Sequence, residues 1–338
     1  MKKTFRKSIA LLALLGAIGT SEAQISVSSS HVGGVGAFKK GELKRLKGTT
    51  TIFVLSSKYD LAEYESILQD TWTVTPYKVM LHDDFSVLDY LTGDYTFASI
   101  SGFVKQTSKS SYVHGYLDIY MYDQEAVAKF VKKSKPEKKN FNDKFNDALN
   151  DAKIPIARVE LHPTIEFIAA ATRGINSTES RKLLYSGDAF HTYQLGMLKN
   201  NLQKINSLIA EEKTMWMYGS DKTPEIKNLK KATLYLPDYL KIKRNAFAFA
   251  NSQRDDKDVA NLMEDYPYKY EFLTEQQMTD KILEGQDMYY LKFTCVNGQK
   301  FVHVVNGKTG DLVYREYGTM SYNIKSGDFK DLRKAIDK

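Results

Sequence analysis

Apolar residues recur along the chain in two rhythms, and together they predict two similar sets of elements. Ile52-Phe53-Val54-Leu55 reads as a strand. Leu61, Tyr64, Ile67 and Leu68 then recur at the spacing of one helix face. A strand is predicted over Tyr77 to Leu81, and a short helix from Phe85 to Leu91 closed by Gly93. Two long strands, Thr96 to Lys105 and Tyr112 to Tyr122, join through a turn around Ser108. Further along, Leu234-Tyr235-Leu236 gives a strand, Val259, Leu262 and Met263 a helix, and Tyr268 to Leu273 another strand. Thr274 to Leu283 follows as a helix whose Thr274 and Gln277 have capping-box spacing. Asp287 to Val296 and Lys300 to Val305 flank Asn297-Gly298, a strong hairpin signal, and Asn306 to Gly310 turns into Leu312-Val313-Tyr314.

The two sets share residues as well as rhythm. Glu42-Leu43-Lys44-Arg45-Leu46-Lys47-Gly48-Thr49-Thr50 matches Glu225-Ile226-Lys227-Asn228-Leu229-Lys230-Lys231-Ala232-Thr233 at five of nine positions. Pro76-Tyr77-Lys78 recurs as Pro267-Tyr268-Lys269, and Gly93 as Gly285. The chain therefore reads as α/β (α+β), a duplicated β-α-β-α-β-β domain in which each copy builds a small mixed sheet. The expected divisions are a leader (1–23), a flexible linker (24–41), a first domain (42–123), a mixed, largely helical connector (124–224), a second domain (225–317) and a tail (318–338). Equivalence of the copies places Ile52 near Leu234 or Tyr235, and Tyr77 near Tyr268. In the connector, Ile154 to Glu160 reads as a strand, and Leu195, Leu198, Leu202, Ile205 and Leu208 mark a helix that packs between the copies.

This element order resembles the small α/β domains of the N-terminal module of the Tol-system propeller protein and of the curli-secretion lipoprotein family. More broadly, the chain resembles secreted envelope proteins of Gram-negative bacteria. The resemblance implies an envelope address. It carries over no functional residue.

The first 23 residues sharpen the address. Lys2, Lys3, Arg6 and Lys7 precede an apolar run from Ile9 to Ile18, about ten residues and too short to cross a ~30 Å hydrocarbon core as a helix. Ser21-Glu22-Ala23 then fits a cleavage site before Gln24, so export through a cleaved signal peptide is expected, to the periplasm or outer envelope, with secretion as the alternative. The formal charge of the 338 residues is +7 and about +4 without this leader, a mild balance that demands no nucleic-acid partner. The one dense basic run, Lys132, Lys133, Lys135, Lys138 and Lys139, is read as a solvated linker face. A single cysteine excludes an intramolecular disulfide and a Cys-x-x-Cys site.

Candidate chemistry is sparse. Gly33-Gly34-Val35-Gly36 with Lys39 precedes the first strand instead of following it, so it is a linker and not a phosphate loop. The histidines His31, His82, His114, His162, His191 and His303 show no ligand spacing, and no metal or cofactor is expected. In His82-Asp83-Asp84, either aspartate would cap the helix from Phe85. Cys295 alternates in phase with Tyr289, Leu291 and Phe293, which makes it a buried thiol before a nucleophile. Asp118, Glu160 and Glu166 are carboxylates that folding could pair. Tyr112, Tyr116, Tyr120, Tyr122, Tyr266, Tyr268, Tyr270, Tyr289 and Tyr290 crowd the predicted strands, and β-propensity or a contact surface both account for them. The expectation is an exported, non-catalytic envelope protein that binds or assembles another envelope component, a protein or a glycan. A hydrolase with a motif-free carboxylate or histidine site, or a glycan binder using tyrosine faces, is the alternative. The cleft between copies and the tyrosine faces are the places to look.

Overall fold

The computed structural model describes residues 24–91, 94–106, 111–133, 141–173, 177–245 and 250–338. The expected leader, Gly93, the turn at Ser108, and Lys135, Lys138 and Lys139 lie outside them.

The first half comprises β1 (Ile25–Val27), α1 (Glu42–Lys47), β2 (Thr50–Leu55), α2 (Leu61–Thr71), β3 (Tyr77–Leu81), β4 (Tyr95–Gln106), β5 (Ser111–Tyr122), α3 (Gln124–Lys133), α4 (Phe141–Asp151) and β6 (Lys153–Glu160). Then come α5 (Ile165–Ala171), α6 (Ser177–Leu184) and α7 (Leu195–Ala210). The second half comprises β7 (Asp221–Lys222), β8 (Leu234–Pro237), the hairpin β9 (Ile242–Asn245) and β10 (Ala250–Gln253), α8 (Asp256–Met263), β11 (Tyr270–Leu273), α9 (Glu275–Leu283), β12 (Tyr289–Val296), β13 (Gln299–Asn306), β14 (Leu312–Gly318) and α10 (Ser326–Asp337).

Two six-stranded mixed sheets result, ordered β3-β2-β4-β5-β6-β1 and β11-β8-β12-β13-β14-β7. In each, the second strand of the row runs parallel to both neighbours and all later pairs are antiparallel. The duplication is thus a property of the fold. Thr51 pairs with Tyr77 and Thr96, and Leu234 with Tyr270 and Tyr289, so Thr51 and Leu234 are equivalent. Ile52 then matches Tyr235, as the pattern predicts. Tyr77 matches Tyr270, two residues beyond Tyr268, which lies in the bend ahead of β11.

The repeat is larger than β-α-β-α-β-β. Each sheet gains a strand after its hairpin (β6, β14) and one ahead of its first helix (β1, β7), so the connector beginning at residue 124 contributes a strand to the first sheet. The flexible linker is corrected likewise. Ile25 and Val27 are buried, and β1 pairs with β6 while Val27 also bridges Met215. Two apolar residues around Ser26 suffice for an edge strand but vanish in a Ser-rich stretch. The tail is corrected to a packed helix: Phe329, Leu332, Ala335 and Ile336 recur on one buried face of α10. The helix expected from Phe85 is two 3-10 turns, His82–Asp84 and Val87–Tyr90, because Phe85 and Ser86 are extended and divide it. Asp83 and Asp84 lie inside the first turn and cap no helix. Its counterpart α9 is a full helix, held by the expected capping box of Thr274 and Gln277.

α7 joins the halves. It packs on α2 and on α9, burying Met197, Leu202, Ile205 and Ile209. A Cβ at Gly196 would lie 3.0 Å from Thr279 Cα, so the missing side chain lets α7 approach α9. α10, which packs on α8, is its counterpart in the second copy. Among the described residues, no helix is long and apolar enough to cross a membrane.

Candidate functional site

Register places a polar row across equivalent positions of both sheets. In the first it runs Ser99, Asp118, Arg158, Ser26; in the second, Lys292, His303, Arg315, Asp221. The two arginines are equivalent and each holds a carboxylate with two nitrogens: Arg158 with Asp118, at 3.2 and 3.4 Å, and Arg315 with Asp221. Side chains alternate across a strand, so the row faces away from Ala98 and its partner Phe53, which meets Trp72 at the end of α2. In the second sheet the other face carries Lys300, whose Nζ reaches Asp328 of α10 at 2.5 Å.

The copies therefore stack in the same sense: the helix layer of the first lies on the row face of the second. Lys292 Nζ donates to Asn201 of α7 at 2.6 Å, and the Gln24 N–H donates to His303 Nε2 at 3.3 Å. Burial pushes the Lys292 ammonium down to about 7 and holds His303 well below its ordinary value. This face is covered at Lys292 and His303, while its Asp221 end borders a surface cleft of about 300 Å³. The cleft between copies is filled too: around His162, His191, Tyr239, Arg244 and Phe293 only about 30 Å³ remains, room for a water.

Among the described residues no helix of the other half lies over the row face of the first sheet; Ser26, Ser99 and Asp118 are buried locally, His31 lying against Asp118, and the face opens beside them. Turns around His82 and Phe85, Tyr185 and α6 border it, leaving a groove of about 640 Å³, within the ~300–1,000 Å³ typical of ligand sites. Its floor is Ser99, Ser101, Tyr116 and Tyr120 from β4 and β5; Asn150, Lys153 and Arg181 stand at its sides. Lys153 Nζ lies 4.3 Å from the centre of the Tyr120 ring, and the Arg158 guanidinium 3.7 Å from that of Tyr116. His82 stacks on Tyr185 at 3.9 Å between ring centres. Tyr185 in turn donates its hydroxyl to the Ile100 carbonyl at 2.9 Å. Leu184 rests against Gly102, where a Cβ would come within 2.5 Å of the His114 carbonyl oxygen. Beyond it an apolar cavity of about 300 Å³ is lined by Phe103, Val104, Val113, Phe167 and Leu183.

Of the carboxylates singled out in the sequence, folding brings Asp118 and Glu160 to Arg158, which lies in register with Asp118 and two residues from Glu160 on β6. Burial raises both, Glu160 to about 7, with Arg158 opposing. Glu166 sits apart on α5, where its charge acts on His191. His31 approaches Asp118 at 4.0 Å, yet burial and then Arg158 push its pKa down to about 3, so the ring is neutral and the contact is no ion pair. His114 stacks on Phe103, and His162 packs edge-on to His191. Cys295 is buried with its thiol raised by burial. Among the described residues, no cluster of His, Cys, Asp or Glu is arranged to hold a metal. Of the tyrosines, Tyr116 and Tyr120 reach the groove, whereas Tyr266, Tyr268 and Tyr270 form a separate cluster near α10. Tyr185, Lys153, Arg181 and His82 complete the groove from segments the strand pattern did not connect. The chain matches no family model, no curated protein and no solved structure.

Proposed function

We propose that this chain is an exported binding protein of the bacterial envelope, acting without catalysis through the groove on its first sheet. One observation carries the reading: the face that is covered at Lys292 and His303 in the second copy opens, in the first, into a walled groove of ligand size. The chemistry of the walls supports binding. His82 is stacked on Tyr185 and not bonded to a serine, and the buried Asp118 is held by Arg158, so neither is poised as a base toward the groove. The leader-like residues 1–23 supply the exported address.

The test is native mass spectrometry of the protein recovered from its own envelope. The wild type should carry a mass in excess of the polypeptide, and Ser101→Trp, which fills the groove, should lose it. An excess that persists in the filled variant, or a wild type that is bare and binds nothing offered from an envelope extract, overturns the reading.

A further inference from the structure

We propose that the groove takes an organic anion, a carboxylate or phosphate monoester on an apolar body, with Lys153 and Arg181 receiving the charge. The proposal rests on the binding reading above and names the ligand class for that site.

Four observations lead to it. Among the described residues, Lys153 and Arg181 are the charged ones lining the groove, and no carboxylate lines it. Neither cation has an ion-pair partner among the described residues; Asp118, whose charge acts on Lys153, is itself bonded by Arg158. Burial already disfavours the Lys153 ammonium, so an anion beside it is welcomed. The remaining lining is mixed: Phe85, Val87 and Phe103 offer apolar surface for a body, while Ser99, Ser101 and Asn150 offer polar groups to orient a head.

Two other occupants fit less well. A neutral sugar would stack on open aromatic faces, but the faces of Tyr116 and Tyr120 are taken by Arg158 and Lys153. A second copy stacking as the two halves do would present α10 to the groove, as α7 is presented to the second sheet. The outer side of α10 bears Lys330, Asp331, Lys334 and Asp337, a charged surface suited to ending a stack.

Two dyes that share an aromatic body separate charge from shape: 8-anilinonaphthalene-1-sulfonate, an anion, and N-phenyl-1-naphthylamine, which is neutral. Fluorescence titration of the folded full chain should show the sulfonate binding at least about tenfold more tightly, and weakening as salt is raised. Lys153→Met with Arg181→Met should weaken the sulfonate about ten- to a hundredfold, the loss expected for hydrogen bonds to a charged group, and leave the neutral dye within about twofold. Lys153→Arg, which keeps the charge, should retain most of the affinity. Ser101→Trp should abolish both. Near-ultraviolet circular dichroism confirms that each variant is folded. Equal affinity for the two dyes, with both lost in Ser101→Trp, would overturn the anion assignment and leave the groove standing. Dyes undisturbed by Ser101→Trp would overturn the groove itself.

Discussion

Lys292 is a cation sealed between the two halves, and removing its charge should stabilise the protein in a manner that depends on pH. The residue is 1% exposed, and its Nζ has one hydrogen-bond partner among the described residues, Asn201 Oδ1 at 2.6 Å. Burial alone takes its pKa from 10.5 to about 7. A base depressed in the folded state costs nothing above its unfolded pKa and most below its folded one. The wild type therefore gains stability as pH rises from 7 toward 10.5, by at most about 1.4 kcal/mol per pH unit and about 4–5 kcal/mol in all. Lys292→Met fits the same space without the charge, and leaving Asn201 unpaired returns about 1–3 kcal/mol. At pH 7 the variant should be more stable by about 2 kcal/mol, and by pH 9 that advantage should have vanished or reversed. Urea denaturation of both proteins at pH 7.0, 8.0 and 9.0 reads the difference, in which titrations common to both cancel. A wild-type-to-variant gap that stays constant across these pH values would refute the reasoning, because it would mean that Lys292 does not titrate differently on folding.

Glu160 predicts the mirror case on the first sheet. Its carboxyl is raised to about 7 by burial, with Asp118 adding to the shift and Arg158 opposing it, so its stabilising contribution is complete below pH ~4.5 and lost as pH rises through ~7. Glu160→Gln should therefore melt higher than wild type at pH 8, by at most about 3 kcal/mol, and show no such gain at pH 4.5. A Cβ at Gly115 would fall 2.3 Å from the Phe190 ring, so Gly115→Ala should cost about 1–3 kcal/mol and lower the urea midpoint. Export processing predicts that N-terminal sequencing of protein recovered from the envelope begins at Gln24; a chain that retains Met1 would contradict it.

What the chain discloses and what it hides follow from the range of the forces involved. The repeat was legible because each copy carries its own local signals: the capping box at Thr274, the left-handed Asn297-Gly298 turn, and the stripe from Leu195 to Leu208. β1 escaped because its partners lie far along the chain, on β6 and at Met215. β6 was recognised as a strand but not as part of the first sheet, since α3 and α4 separate it from β5 where the second copy has only a tight turn. Part of the groove had a readable trace: along β5 the alternate positions Tyr112, His114, Tyr116, Asp118, Tyr120 and Tyr122 are all polar or aromatic, marking a face unlike the apolar one behind it. Which copy leaves that face open depends on stacking, and stacking is decided between elements that no local pattern links.

In the proposed reading the two copies have divided their roles, one row face covered by α7 and the other kept as a binding groove. Hydrogen–deuterium exchange of the full chain, with and without its envelope extract, tests this most directly. Added protection is expected in β4, β5 and α6, with the equivalent β12 and β13 unchanged. Protection that appears on β12 and β13, or on neither sheet, would contradict it.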